Sequence, residues 1–279
     1  QLVQSSHVKK LSVEAIVDNR EQVDSKLIYE VEKNNVKIFK GHTIVNTYGH
    51  KRINKISIMQ LSKDGQNVIG SKIDLSCDCL GISGGWTPAV HLFTQSGGKL
   101  KFRDEDQVFI PNVYPSDQIS VGACNGDLTL DSILVNVPKS LKDFLNIKNN
   151  VYENFDVLSS HNNFKRNIWL LPSDKVLGKT KSFVDYQNDA TAKDIKLALR
   201  EGFKSIEHVK RYTTTGMGTD QGKLGNMHAL GIIADTADVK MGELGTTTFR
   251  PPYTPLTFGT IVGRNVGKFF DIFRRTPMN

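Results

Sequence analysis

Apolar residues along this chain fall first into short runs with strand spacing and only later into helical spacing. Residues 12–20, SVEAIVDNR, predict a buried strand ending on an acid, Asp18. From Val36 onward, VKIFKGHTIVNTYG alternates around a turn. RINKISIMQLSKDGQNVIGSKIDLSCDCLGIS then predicts a hairpin across Lys63-Asp64-Gly65 and a third apolar strand. Leu80–Ser83 predicts one further strand, which runs into Gly84-Gly85-Trp86-Thr87-Pro88. Residues 141–178 are polar and rich in Asn. They predict a surface linker anchored by Trp169-Leu170-Leu171-Pro172. Beyond it the period changes. Thr191-x-x-Asp194 is a capping-box start, Ile195, Ala198 and Leu199 follow at helical spacing, and Gly202 closes the helix. Ser205 opens a second helix carrying Ile206 and Val209. After the loop Tyr212–Thr219, Thr219 or Asp220 caps a third helix, with Leu224, Met227, Leu230 and Ile233 expected inward. Three short helices around a small core predict an all-α module.

Composition narrows the function classes. The net charge of +7 comes from scattered residues such as Lys9, Lys37, Lys99 and Lys193. No stripe interleaves these cations with aromatics, so nucleic-acid binding is not expected. An anionic cofactor or an acidic partner subunit accounts for the charge as well. No apolar run approaches the roughly 20 residues that span a bilayer, so no membrane partner is expected. Cys77, Cys79 and Cys124 are sparse and odd in number, which points to a reducing compartment and a cytoplasmic location. Cys77-Asp78-Cys79 lacks a second ligand pair for a metal and reads as a strand whose two thiols share a face. The chain starts at Gln1 without a signal or transit peptide and reads as a segment of a longer one.

Nucleophile and phosphate motifs are incomplete. Gly222-Lys223 fails as a P-loop, because Met217 and Leu224 stand where Gly and Ser or Thr are needed. None of the seven histidines pairs with Asp or Ser in a triad motif, and His91 and His208 read as structural or surface residues. No catalytic residue and no metal ligand is nominated. Thr213, Thr214, Thr215, Gly216 and Gly218 precede a helix start, with Lys210, Arg211 and Lys223 near in sequence. Such a loop suits a flavin or nucleotide phosphate. It equally suits a capped turn whose threonines satisfy their own backbone. Asp18 alone reads as a polar strand end, since the Gly-rich turn of a dinucleotide fold should lie about 20 residues earlier.

Two long stretches carry a resemblance. Lys181–Asn226, with VDYQNDATAKDI at its start, and Gly245–Gly259, GTTTFRPPYTPLTFG, resemble the α subunit of heterotetrameric sarcosine oxidase. So does SGGWTPAVHLFTQSGGKL from Ser83 to Leu100. The resemblance implies an α/β fold: an incomplete FAD/NAD(P)-binding, Rossmann-like domain with a three-stranded excursion, then the small all-α module. It implies bounds of 1–140 for the nucleotide domain and 141–178 for the linker. A bacterioferritin-associated ferredoxin-like module would span 179–245, and 246–279 would connect to a folate-binding domain outside the chain.

The same resemblance assigns cofactors. In this fold a short strand of small residues, here Val121–Gly126, returns to the nucleotide domain and starts a helix. Gly122, Ala123, Gly126, Leu128 and Leu130 would then form one wall of a NAD site. Ala123-Cys124 stand where FAD-binding relatives have Asp, which agrees with NAD. Arg211, Thr214, Thr215, Gly216 and Lys223 would contribute to FMN at an interface with a partner subunit. Ferredoxin-like relatives bind a [2Fe–2S] cluster through four cysteines. Here the matching positions are Asp185, Gln187, Asp220 and Gly225, so no Fe–S cluster is expected. Tetrahydrofolate would bind only in the further domain, and the implied partners are β, γ and δ subunits. The implied activity is oxidation of sarcosine, with the one-carbon unit passed to tetrahydrofolate and electrons to oxygen. The roles left to this segment are structural and cofactor-positioning. A related imino-acid or opine dehydrogenase subunit, or a non-catalytic dinucleotide-binding module, are the alternatives.

Overall fold

The computed structural model describes residues 11–23, 25–115, 117–147, 167–177, 179–251, 253–265, 267 and 277–278. Strand β1 (Ala15–Asp18) leads through helix α1 (Ser25–Glu32) to β2 (Lys37–Lys40), which pairs with it in parallel, Asp18 opposite Lys40. Asp18 accepts from Arg20 Nε at 3.0 Å and Nη2 at 2.8 Å. Burial pushes its carboxyl up, but the Arg20 hydrogen bonds outweigh this and hold it below its ordinary value. The strand-end acid is therefore closed by its neighbour.

The chain turns sharply at Gly41 (φ +61) into the antiparallel sheet β3 (His42–Gly49), β4 (Ile53–Leu61) and β5 (Val68–Ser76). Central β4 buries Ile56, Ile58 and Leu61. The expected hairpin turn forms. Ser62 bonds Asp64 at 2.5 Å, Asp64 accepts the Gln66 amide at 3.0 Å, and Gly65 adopts φ +70.

Beyond Ser76 two expectations fail. Cys77 and Cys79 lie past the end of β5 and do not share a strand face; both are free. Leu80–Ser83 forms no strand, and residues 79–90 have no regular structure, with Trp86 80% exposed. Three glycines and a proline in this stretch leave too few residues to pair, and no described strand lies beside it.

Next come α2 (His91–Gln95) and the hairpin β6 (Lys99–Arg103) with β7 (Val108–Val113). Instead of a strand at Val121, the small residues Gly122–Asn125 form a single 3-10 turn, because Gly122 and Gly126 both take positive φ. Thr129 then caps α3 (Leu130–Leu145), accepting from the Ser132 amide. This amphipathic helix has no fully buried residue, and Leu130 is 64% exposed.

The second half is not purely helical. A small antiparallel pair, β8 (Phe183–Asp185) with β9 (Ala190–Thr191), opens it. Helices α4 (Ala192–Arg200), α5 (Ile206–Thr213), α6 (Asn226–Ala237) and α7 (Met241–Leu244) follow, and α8 (Phe258–Val262) lies beyond. The hairpin positions the chain where it enters α4, and its Val184 joins the helical core of Ile195, Val209, Leu230 and Ile233. The capping box forms: Asp194 Oδ2 accepts the Thr191 amide at 2.8 Å, while Thr191 Oγ1 accepts the Asp194 amide at 3.4 Å. Ser205 precedes α5 without a side-chain cap. Helix α6 starts later than the periodicity predicts. Gln221 and Gly222 take positive φ, which a helix cannot accommodate, so Leu224 stays outside and is 71% exposed. Trp169 anchors the preceding segment as expected, lying so close to Gly231 that an added Cβ would sit 2.0 Å from its ring. The remainder of the Asn-rich linker, 148–166, lies outside the described residues.

Candidate functional site

The Thr/Gly loop takes its shape from inside. Helix α5 ends at Thr213, and Thr214 takes φ +61. Thr213 Oγ1 donates to Val209 O at 2.8 Å, and the Thr213 and Thr215 hydroxyls bond each other at 2.8 Å. Thr214 Oγ1 donates to Thr213 O at 2.6 Å. The Gly216 amide, which could cradle a phosphate, donates to Asp185 Oδ2 at 2.7 Å. Asp185 Oδ1 also accepts the Gln187 and Asn188 amides at 2.9 and 3.0 Å. Burial pushes this carboxyl up, yet the three amides prevail and hold it below its ordinary value. Arg211 donates to the Glu207 backbone carbonyl at 2.8 Å and meets the Glu207 carboxylate at 3.1 Å. Lys223 Nζ donates to Tyr253 O at 2.5 Å and stands 3.9 Å above the Tyr253 ring. Each nominated group thus has a partner within the chain.

The hairpin turn and the loop face each other. Gln187 Oε1 accepts the Asp220 amide at 3.2 Å, and Gln187 Nε2 donates to Thr219 Oγ1 at 2.8 Å. A Cβ at Gly225 would lie 2.3 Å from Val184 O. Asp185, Gln187, Asp220 and Gly225 therefore sit where the two segments are tied by hydrogen bonds.

The Gly122–Leu130 turn is pinned from one side. Arg103 Nη2 donates to Gly126 O at 2.9 Å while Arg103 Nε holds Asp106 at 2.8 Å. Gly126 takes φ +90, and a Cβ there would meet Arg103 Nη2 at 2.6 Å. Gly122 is buried, Ala123 exposed and Leu128 half-buried.

One convergence was not anticipated. Helix α2 sets the His91 ring 3.8 Å from Phe249 and 5.5 Å from Tyr253. His91 is only 8% exposed, and both ring nitrogens are buried without a hydrogen-bond partner among the described residues. Burial, and secondarily the Lys223 charge, pulls its pKa down to about 4, so the imidazole is neutral near pH 7. Around it, Gln95 Nε2 donates to Arg250 O at 3.0 Å, and Gln221 Nε2 donates to the same oxygen at 2.7 Å. The Arg250 amide returns a bond to Gln221 Oε1 at 2.8 Å, and Asn226 Nδ2 donates to Thr247 Oγ1 at 3.2 Å. His91 and Gln95, Gln221, Lys223 and Asn226, and Thr247, Phe249, Arg250 and Tyr253 thus meet in one seam. A cavity of about 380 Å³ there is lined by Thr94, Gly97, Gly98, Lys99, Thr246 and Thr248 among others. A smaller chamber of about 40 Å³ is lined by His91, Lys223, Asn226 and Phe249 among others. The sequence marked the stretches these residues come from but carried no local signal that they touch.

With this geometry in view, the fold class is mixed α/β, strands with a helical module. The chain shares the fold of the crystal structure of L-proline dehydrogenase from P. horikoshii, with TM-score 0.54 and 16% identity, over 94% of this chain and 52% of that one. Residues 179–264 match the family model described as Sarcosine oxidase A3 domain. Over nearly its whole length the chain is related to the α chain of sarcosine oxidase. It is 32% identical to the alpha subunit of sarcosine oxidase from Corynebacterium sp. (strain P-1) over 279 residues, covering 96% of this chain and 28% of that protein. An opine oxidase subunit of Rhizobium meliloti (strain 1021) is 36% identical over 73 residues, 26% of this chain and 16% of that one. The resemblance read from the motifs is borne out. The chain spans somewhat more than a quarter of the sarcosine oxidase subunits it matches.

Proposed function

We propose that this chain is part of the α subunit of a flavin-dependent sarcosine oxidase complex. The complex would oxidatively demethylate sarcosine, pass the one-carbon unit to tetrahydrofolate and deliver electrons to oxygen. The observation that carries this reading is the similarity to the alpha subunit of sarcosine oxidase along 96% of the chain. The opine oxidase match supports the alternative over only 26% of it. The role of this segment is structural and cofactor-positioning, and no residue in it is assigned to the chemistry.

Two cofactor surfaces belong to the proposal. Positive φ at Gly122 and Gly126 shapes the turn that leads to the α3 N-terminus, where a NAD pyrophosphate would lie. Gly122, Ala123, Gly126, Leu128 and Leu130 would supply one wall. The Thr213–Lys223 loop would face FMN when a partner subunit docks. Because the Gly216 amide already holds Asp185, the flavin phosphate would draw the exposed Thr214 hydroxyl from Thr213 O and the Lys223 ammonium from Tyr253 O. No iron–sulfur cluster is proposed, since Asp185, Gln187, Asp220 and Gly225 bring no thiolate. The partners are β-, γ- and δ-type subunits, with tetrahydrofolate bound in a domain outside this chain and the complex in the cytoplasm. No described helix is long and apolar enough to cross a membrane.

Native mass spectrometry of the complex purified from its own cells tests the reading, together with flavin and iron analysis. A heterotetramer with flavin and sarcosine-dependent oxygen uptake is expected. A complex inactive on sarcosine, or one with stoichiometric iron, would refute the corresponding part.

A further inference from the structure

Cys77 and Cys79 are a pair of thiols that the proposed function leaves unused. Both are free, with Cys79 exposed and Cys77 half-buried. Their setting is fixed from one side. The Cys77 amide donates to Asn54 O on β4 at 3.3 Å, so Cys77 extends the ladder one residue past the end of β5. The chain then bends at Asp78, whose carboxylate meets Arg52 at 3.5 Å. Cys79 opens the stretch 79–90, which has no regular structure and leads into α2.

The bend matters for what the two sulfurs can do. On a straight strand, side chains two residues apart stand parallel at about 6.6 Å. A disulfide needs its Cβ atoms at roughly 3.5–4.5 Å, and a bend at the intervening residue shortens the gap. A ring closed across one residue is small, so its strain makes the bond readily reduced again. Reversible bonds of this kind are the ones a reducing compartment tolerates. The two thiols are also unequal. Burial, then the Asp78 and Cys79 charges, push the Cys77 thiol up, so little of it is thiolate near pH 7. Cys79 is the accessible sulfur. Cys124 is occupied elsewhere, with Sγ donating to Val121 O at 3.1 Å.

We propose that Cys77 and Cys79 are a peroxide-sensing dithiol, oxidised to a disulfide that pins the start of the 79–90 stretch to the end of the β3–β5 sheet. The Cys79 thiolate attacks one peroxide oxygen and breaks the O–O bond. A sulfenic acid forms, and the departing hydroxide takes the thiol proton and leaves as water. The Cys77 sulfur then attacks the Cys79 sulfur, forms the S–S bond and expels hydroxide, which leaves with the Cys77 proton as a second water. The thiols lose an electron pair and the peroxide gains it. Oxygen that takes up an electron pair and two protons becomes hydrogen peroxide, so the complex proposed above would generate the oxidant itself. That source rests on the sarcosine oxidase reading; the thiol chemistry does not.

The test treats the full chain with hydrogen peroxide near pH 7, quenches with catalase, and alkylates the remaining thiols after unfolding. Alkylatable thiols should fall from three to one. The peptide that holds Cys77 and Cys79 should lose about 2 Da, and dithiothreitol should restore it. Cys77→Ser should stop at a sulfenic acid on Cys79 that dimedone traps. Cys79→Ser should react several-fold more slowly than the parent, and Cys124→Ser should form the same disulfide as the parent. Amide exchange over residues 79–86 should slow in the oxidised chain. The parent measurements stand even if a variant misfolds by circular dichroism. Retention of both thiols, a bond from either one to Cys124 or to a second copy, or unchanged amide exchange in the oxidised chain would each overturn the proposal.

Discussion

Replacing Asp185 with Ala removes the one carboxylate that three amides share. The cost follows from what each amide can do afterwards. Gly216 is buried, so its N–H loses a charged acceptor, for which about 1.5–3 kcal/mol is typical. Gln187 and Asn188 are exposed, so their amides regain water and add only a fraction of that. The expected destabilisation is therefore about 3 kcal/mol for Asp185→Ala. It is about half as much for Asp185→Asn, whose amide oxygen keeps one acceptor. Urea denaturation at pH 7, read by helical circular dichroism, measures both. The pH dependence supplies an independent sign. The folded-state pKa of Asp185 lies below its unfolded value of about 3.9. Its stabilising effect is thus complete above that unfolded value and disappears as pH falls through the folded one. Parent and Asp185→Ala should converge only under acid conditions. A destabilisation under 0.5 kcal/mol, roughly the scatter of neutral surface changes, would refute the reasoning. So would a difference that persists unchanged into acid.

Gly231→Ala places a methyl inside the Trp169 ring and should destabilise by about 2 kcal/mol or more. In a double-mutant cycle with Trp169→Ala the two changes should be strongly non-additive by urea denaturation. Thr191→Ala dismantles the capping box of α4 and should cost about 1 kcal/mol in the same assay. Lys223→Met in the assembled complex should lower flavin content and sarcosine turnover while helical circular dichroism stays at the parent level; unchanged flavin would leave the Thr213–Lys223 loop as a capped turn.

Local signals in the sequence were legible, and signals that depend on distant contacts were not. The hairpin turn at Ser62–Asn67 and the Thr191–Asp194 box each involve residues a few positions apart, and both formed. Leu80–Ser83 has the composition of a strand, but a strand needs a neighbour and none of the described ones lies alongside. Leu224 fits a helical period, but the positive φ of Gln221 and Gly222 delays the helix beyond it. Thr214–Gly216 read as a candidate phosphate loop because sequence could not show that Asp185, about 30 residues earlier, would supply the anion. His91 belongs to no triad motif and read as a structural or surface residue. Its isolation from hydrogen-bond partners arises only when Phe249 and Tyr253 close over it.

The seam also orders events in time. The Gln95–Arg250 hydrogen bond joins residues 155 positions apart, and Lys72–Asp174 joins residues 102 apart. By contrast, the β8–β9 turn, α4, α5 and α6 find their partners within one short stretch. Loop-closure entropy makes such local structure form early and long-range closure late. The helical module should acquire amide protection before residues 245–251 do, and only then does the chamber around His91 exist. A nascent chain therefore cannot complete that chamber until the segment beyond α7 has emerged, whatever the state of the strands made first.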